Sequence, residues 1–499
     1  MLSRVVAASL GLALLLGPSA AAQTPTPSPS PPSSPEEWRA VAVADVNEAY
    51  QVFVDNHPGM YDAANPSFPA TLAEARDRGL AAAGQVQDRT GYERSLAIFS
   101  SVLSDGHALV YATRSQTATQ EQTRHWPGFA ALWRQDQLFV VTPDPDSPLA
   151  NTTIVACDGL ETQAFLNDRL RVRNFRGNEA GQWWVVPSRL FWAIGEPAAD
   201  QPRRCTFRTA EGQDIERDLE WRPASPEDRS FYSGRVFAQA EPIGLHEPRP
   251  GVFVIGLGDF QPDEAGRAAY ARLYEELNAR RDELRAARAV VLDLRGNQGG
   301  SSQWSYQVAA ILWGFPALAS RIPPIIGIDW RASEGNIAYI RAQVGVWRER
   351  GQTELADDWT NVATQMEAAA ARGEPLWRDA DGGGNTPATP VATDFERPVY
   401  VINWGQCASA CLDANDYFGL FDNTLRIGSP TSADSTYMEV RTAPLTSGQG
   451  IVVIPNKTWV GRQRGWGEVY TPDIPMNGLD WSTSAFLDRI EQDLADRAR

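Results

Sequence analysis

Two stretches of this 499-residue chain bring together residue types that chemistry can use. The first is Val291-Leu-Asp-Leu-Arg-Gly-Asn-Gln-Gly-Gly300. An apolar run enters polar residues and then paired glycines, Gly299 and Gly300. Glycines let the backbone turn sharply and offer bare N–H groups to a ligand. A carbonyl oxygen held there would be stabilised as it became an oxyanion. The same pattern also describes a tight strand-to-helix turn, with Asp293 and Arg295 as a structural ion pair. The second stretch is Val399-Tyr-Val-Ile-Asn-Trp-Gly-Gln-Cys-Ala-Ser-Ala-Cys-Leu-Asp413. A buried strand leads through a turn into a helix, and Ser409 falls near the helix start. There a hydroxyl sits beside the helix dipole and free N–H groups. An ordinary N-cap serine would occupy the same place.

The elements around these stretches follow from apolar spacing. From Gly251 onward strand and helix alternate: Val252 to Leu257 reads as a strand, Ala265 to Ala287 as an amphipathic helix, and Ala289 to Leu294 as a buried strand. Val399 to Asn403 is a further buried strand. This alternation predicts an α/β layer core over 250–485. Residues 304–378 read as a largely helical insertion, followed by a Gly/Pro-rich loop at Asp381 to Pro390. Upstream, Glu36 to Ala112 has helical spacing, with His57-Pro58-Gly59 as a turn, and forms a helical cap over 36–112. Between them, 127–223 carries short apolar runs, Leu138 to Val141 and Thr153 to Cys157 among them, separated by turn signals such as Asp158-Gly159. That is a small β-rich domain.

Composition narrows the partners. A net charge of -17 excludes the basic surface that nucleic acids require. Arg4, the apolar run Val5 to Leu16 and the small residues Ser19 to Ala22 make residues 1–22 a signal peptide. The run is too short to span a bilayer as an anchor, so no membrane insertion is expected once it is removed. Residues 23–35 are a Pro/Ser/Thr-rich tether. Export, to a periplasmic or extracellular space, lets disulfides persist. Four cysteines allow three pairings, of which Cys157 with Cys205 and Cys407 with Cys411 each stay within one domain. No metal-ligand spacing and no phosphate-binding loop is present, so no metal and no cofactor is expected.

Taken together, the two chemistry-bearing stretches resemble the tail-specific (C-terminal-processing) proteases. Leu103-Ser-Asp-Gly-His107, Val252 to Phe260 and Tyr470-Thr-Pro-Asp473 extend the resemblance over roughly Trp38 to Pro475. The resemblance implies hydrolysis of protein or peptide substrates on a crotonase-like (ClpP-like) spiral of β-β-α units. It also implies a PDZ-like identity for 127–223, where Ser147-Pro148 and Ile154-Val-Ala-Cys-Asp-Gly159 match. By position Ser409 is the nucleophile, and the N–H groups of Ala410 and of Gly299 or Gly300 form the oxyanion hole.

The base departs from the family's common Ser–Lys dyad. Asp434 stands at the lysine position, and Lys457 is the only lysine in the chain. Tricorn-like members use histidine with an acid, and among His57, His107, His125 and His246 the positional match is His107. Glu468 matches the acid region, with Asp434, Glu439 and Asp105 as alternatives. Arg462 and Arg464 lie nearby as candidates for a substrate carboxylate or for simple solvation. The expected activity is that of an exported serine peptidase, with a non-catalytic peptide-binding relative and a serine esterase as the competing readings.

Overall fold

The computed structural model describes residues 31–113, 123–170, 175–195, 197, 201–380 and 389–497. The expected signal peptide, most of the 23–35 tether and most of the 381–390 loop lie outside the described residues.

Three apolar runs, Val252–Gly256, Ala289–Asp293 and Val399–Asn403, are buried at every position. A strand with no polar face must be covered on both sides, as strands of parallel sheets are. These three lie side by side in a six-stranded sheet whose order is Gly244–Arg249, Val252–Gly256, Ala289–Asp293, Val399–Asn403, Thr424–Gly428 and Ile474–Pro475. The first pairing is an antiparallel hairpin and every later one is parallel. Parallel neighbours need a crossover. Helices Glu264–Ala279 and Arg281–Ala286 supply one, burying Tyr270, Leu273 and Leu277 at helical spacing. Register then places the loops. Asp293 pairs with Ile402, so the two chemistry-bearing stretches leave the sheet at the same end and the same level.

A second, antiparallel sheet is organised by the eleven-residue strand Gly450–Val460. It pairs with Leu109–Ala112, Gly327–Arg331 and Tyr437–Pro444, and Leu376–Asp379 extends it beyond Gly327–Arg331. Within 304–378, expected as largely helical, two strands of this sheet stand among the helices. These helices include Gln303–Trp313, Glu334–Glu349 and Thr353–Ala371. In Gly327–Arg331 only Ile328 and Trp330 alternate into the helical pair, packing near Ile340, Val344, Trp359 and Met366. Five residues with two apolar positions are too short a period-2 signal to stand out between helices.

The N-terminal helices Pro35–Asn56, Phe68–Ala83 and Arg89–Leu103 cover this second sheet. Val46, Phe53, Tyr92, Leu96 and Phe99 share one core with Tyr437, Val452 and Ile454. A capping box starts the first helix: Ser34 accepts from the Glu37 N–H, and Glu37 accepts in turn from the Ser34 N–H. The 36–112 stretch is helical until Leu109–Ala112, which joins the sheet.

Strands Ala130–Arg134, Gln137–Val141, Thr153–Cys157, Arg204–Arg208 and Asp214–Asp218 form a third, antiparallel sheet with the helix Thr162–Leu170 beside it. Ala131 and Trp133 face its own core, while Ala130 and Leu132 face the central core, so this sheet is packed against the α/β layer. Both expected disulfides form, Cys157–Cys205 between paired strands and Cys407–Cys411 around Ser409.

Candidate active site

Ser409 sits where the strand Val399–Asn403 turns into the helix Ala410–Phe418, with φ 54° and ψ −125°. A positive φ is unfavourable for a non-glycine residue and persists only where its surroundings hold it. Here they do. The Cys407–Cys411 bridge spans the turn, and Ser409 O accepts from the Leu412 N–H at 2.8 Å. Asn403 and Asn415 exchange side-chain hydrogen bonds of 2.8 and 2.9 Å, clamping strand to helix. The Ser409 hydroxyl makes no capping bond, which sets aside the N-cap reading. A serine lifted on a strained strand-to-helix turn is the arrangement of a nucleophile elbow.

The glycine stretch lies against this turn. A Cβ on Gly299 (φ +109°) would stand 2.7 Å from Ala408 O and 2.8 Å from Ser409 Cβ. Only a residue without a side chain permits that approach. Trp404 Nε1–H donates to Asn297 O at 2.7 Å, tying the two loops together. The Asn297 carboxamide donates to Leu257 O at 2.6 Å and accepts from the Gly299 N–H at 2.9 Å. The Gly299 amide is thereby engaged. The Ala410 N–H, first of its helix, has no intrahelical acceptor. Beneath the loop, Asp293 and Arg295 are fully buried and bidentate, with bonds of 2.9 and 2.6 Å. Arg295 also donates to Trp481 O and Thr483 Oγ1. The ion-pair reading of this stretch is therefore realised, beneath the glycine loop.

His107 lies in a tight turn after the helix Arg89–Leu103, entered through left-handed Ser104 and closed by the Asp105–Ala108 bridge. It is buried, and its Nδ1 has no partner among the described residues. Its backbone N–H donates to Asp105 Oδ1 at 2.8 Å. Burial pushes the Asp105 carboxyl up, against the pull of His107, Ser435 and Arg176. Sequence reasoning missed the segment that joins this corner to the turn before Ser409. Arg176 lies beside Gly106, pairs with Glu179, and donates to Ser432 Oγ. Glu179 accepts from the Ser432 hydroxyl at 2.6 Å and the Ala433 N–H at 3.0 Å. Gly181 then packs so closely on Gly405 that a Cβ would stand 2.4 Å from its carbonyl oxygen. The only trace in the sequence is a pair of small residues in a polar run.

Glu468 is exposed on the loop 461–473, where its Oε2 accepts from the Gly465 N–H at 2.9 Å. It is not hydrogen-bonded to His107 Nδ1. The loop is pinned by Arg462 and Arg464, which are paired rather than solvated or open to a substrate carboxylate. Arg464 reaches Asp434 at 2.5 Å and Asp413 at 2.6 Å, and Arg462 pairs with Asp413 and Asp416. Burial pushes the Asp413 carboxyl up, and Arg462 and Arg464 overrule it, leaving it below its ordinary value. Lys457 is buried in its strand 3.5 Å from Glu439 and over the Trp330 ring. Burial raises Glu439 to about 7 despite Lys457. Of the alternative acids, then, Asp434 and Glu439 each face a cation, while Asp105 adjoins His107.

Searches of protein families and of curated proteins find no match to this chain. Solved structures do match in fold. Mature CPAF complexed with lactacystin superposes with a TM-score of 0.60 at 14% identity, covering 92% of this chain and 98% of that one. Mature CPAF alone gives 0.60 at 14% identity, over 91% and 96%. The photosystem II D1 C-terminal processing protease follows at a TM-score of 0.35 and 13% identity, over 88% and 95%. This chain has an α/β fold shared with mature CPAF along nearly its whole length.

Proposed function

We propose that this protein is an exported serine peptidase. The observation that carries the reading is Ser409, held at a positive φ in a strand-to-helix turn and pressed against Gly299. Ser409 Oγ attacks the carbonyl carbon of a peptide bond while His107 takes its proton. The negative oxygen that forms is met by the Ala410 N–H and by the Gly299–Gly300 backbone. Because Gly299 donates to Asn297, Gly300 is the available partner. The C–N bond then breaks as His107 returns the proton to the leaving amine, and water hydrolyses the acyl ester by the same route. Glu468 orients the imidazole, and its loop must turn the carboxylate from Gly465 to do so. Active sites in free enzymes are often loose in this way.

The central sheet and its helices serve as a crotonase-like core over 250–485, and 127–223 as a PDZ-like domain. Two disulfides support an oxidising compartment. The test is labelling with a fluorophosphonate probe, then peptide mapping. Modification at Ser409, lost in Ser409→Ala, is expected together with hydrolysis of an unfolded protein. No labelling would favour the non-catalytic peptide binder, and labelling with turnover of simple esters alone would favour the esterase.

A further inference from the structure

A cavity of about 470 Å³ opens between the N-terminal helices and the second sheet. Its walls include Asp62, Asn65, Phe68, Leu103, Thr436 and Trp466. Two of these belong to segments that carry the proposed catalytic groups, and a third lies near Asp105. Leu103 ends the helix that leads to His107. Thr436 is next to Ser435, whose hydroxyl draws the Asp105 carboxyl down against burial. Trp466 stands two residues before Glu468, on the same loop.

The chemistry of the walls selects a guest. Among the described residues, Asp62 is the one charged group lining the cavity, and no lysine, arginine or histidine lines it. Its carboxylate accepts from the Ala64 N–H at 2.9 Å and the Tyr437 hydroxyl at 3.0 Å. A carboxylate has about four acceptor sites, so room remains for a donor. Behind the wall His57 is fully buried, with Phe68 stacked on it at 4.1 Å, and burial holds it neutral. Trp466 is 42% exposed and is steadied edge-on by Tyr437 at 5.1 Å. An indole face, an apolar floor and one carboxylate suit a long apolar stem that ends in a cation. An acidic guest would meet Asp62, and an apolar one would strip water from the acceptor sites that the two partners of Asp62 leave open.

We propose that this cavity receives a lysine or arginine side chain of the peptide substrate, close to the bond that is cut. The inference rests on the peptidase reading for its catalytic part and on the cavity alone for its binding part, so two measurements separate them. In the first, kcat/KM is measured for peptides scanned with Lys, Arg, Gln and Glu at each position around the cleaved bond. One position is expected to favour Lys and Arg over Gln by about tenfold or more, the worth of a charge-assisted hydrogen bond. Asp62→Asn should erase that ratio, and Trp466→Ala, which removes the indole face from the cavity wall, should reduce it. In the second, Ser409→Ala protein is titrated calorimetrically with the Lys and Gln peptides. The Lys peptide should bind about tenfold tighter, and Asp62→Asn should remove the difference. Peptide turnover with no basic preference, or with one untouched by both variants, overturns the pocket and leaves the peptidase standing. No turnover, with charge-dependent binding retained in Ser409→Ala, overturns the peptidase and leaves the pocket.

Discussion

The two halves of the proposed site are built differently. The Ser409 turn and the Gly299–Gly300 loop rise from adjacent parallel strands whose register already brings them together. The bridge Cys407–Cys411, the Asn403–Asn415 exchange and the Trp404–Asn297 bond then lock them. The His107 and Glu468 half is assembled from a helix-end turn and an exposed loop, joined to the nucleophile side through Arg176, Glu179 and the Arg464 cluster. One half is fixed by local geometry, the other by contacts between distant parts of the chain. A strained nucleophile needs the first kind of support, whereas a proton carrier can be brought up by the second.

The largest expected effect breaks the rigid half at its centre. Ser409→Ala should lower kcat by about 10⁴-fold or more, as loss of a serine nucleophile does elsewhere. Thermal unfolding of the variant should stay close to that of the parent. Ser409→Gly should be equally inactive yet more stable by about 1 kcal/mol, because glycine accepts a positive φ without strain. If the glycine variant melts lower, the strain assigned to Ser409 is absent.

Next comes the glycine loop. Gly299→Ala places a methyl 2.7 Å from Ala408 O and 2.8 Å from Ser409 Cβ, so the turn must move. We expect kcat to fall by about 10²–10³-fold, comparable to the loss of an oxyanion donor. KM should change far less. Steady-state kinetics on one peptide checks this, and an unchanged kcat would separate the loop from the chemistry.

The half held by distant contacts should respond more gently. Arg464→Gln removes the guanidinium that gathers Asp413 and Asp434 and so loosens the loop bearing Glu468. A loss of about a hundredfold in kcat is expected, with the fluorophosphonate still labelling Ser409, since the nucleophile turn has its own supports. If labelling vanished along with turnover, the two halves would act as one unit.

The same division explains what the sequence discloses. Val399–Asn403 and Ala289–Asp293 are legible because a strand buried on both faces has to be an unbroken apolar run. The paired glycines and the serine at the turn after Val399–Asn403 announce the rigid half for similarly local reasons. Arg176, Glu179 and Gly181 are not legible, since their meaning lies in Gly106, Ser432 and Gly405, which are far away in the chain. Gly327–Arg331 is hidden among helices because its pairing partner is the distant strand Gly450–Val460. Arg462 and Arg464 read as a solvated pair for the same reason: a charge shows in sequence, its burial does not.

The smallest effect expected concerns a buried pair that belongs to neither half. Glu439 and Lys457 face each other on neighbouring strands of the second sheet, and burial lifts the Glu439 carboxyl from 4.5 to about 7. A carboxyl whose folded value is raised binds its proton more tightly when folded. Its contribution to stability is therefore full below about pH 4.5 and is lost as pH rises through about 7. Between about pH 5 and about pH 7 the loss is at most about 2 kcal/mol. Glu439→Gln cannot titrate and should flatten that part of the profile, which urea midpoints measured at several pH values would reveal. Because the pair lies apart from both halves, the pH dependence of peptide hydrolysis should keep its shape in this variant. A parallel change in the rate profile would show that Lys457 takes part in the chemistry, and the second sheet would then supply the base instead of only the scaffold.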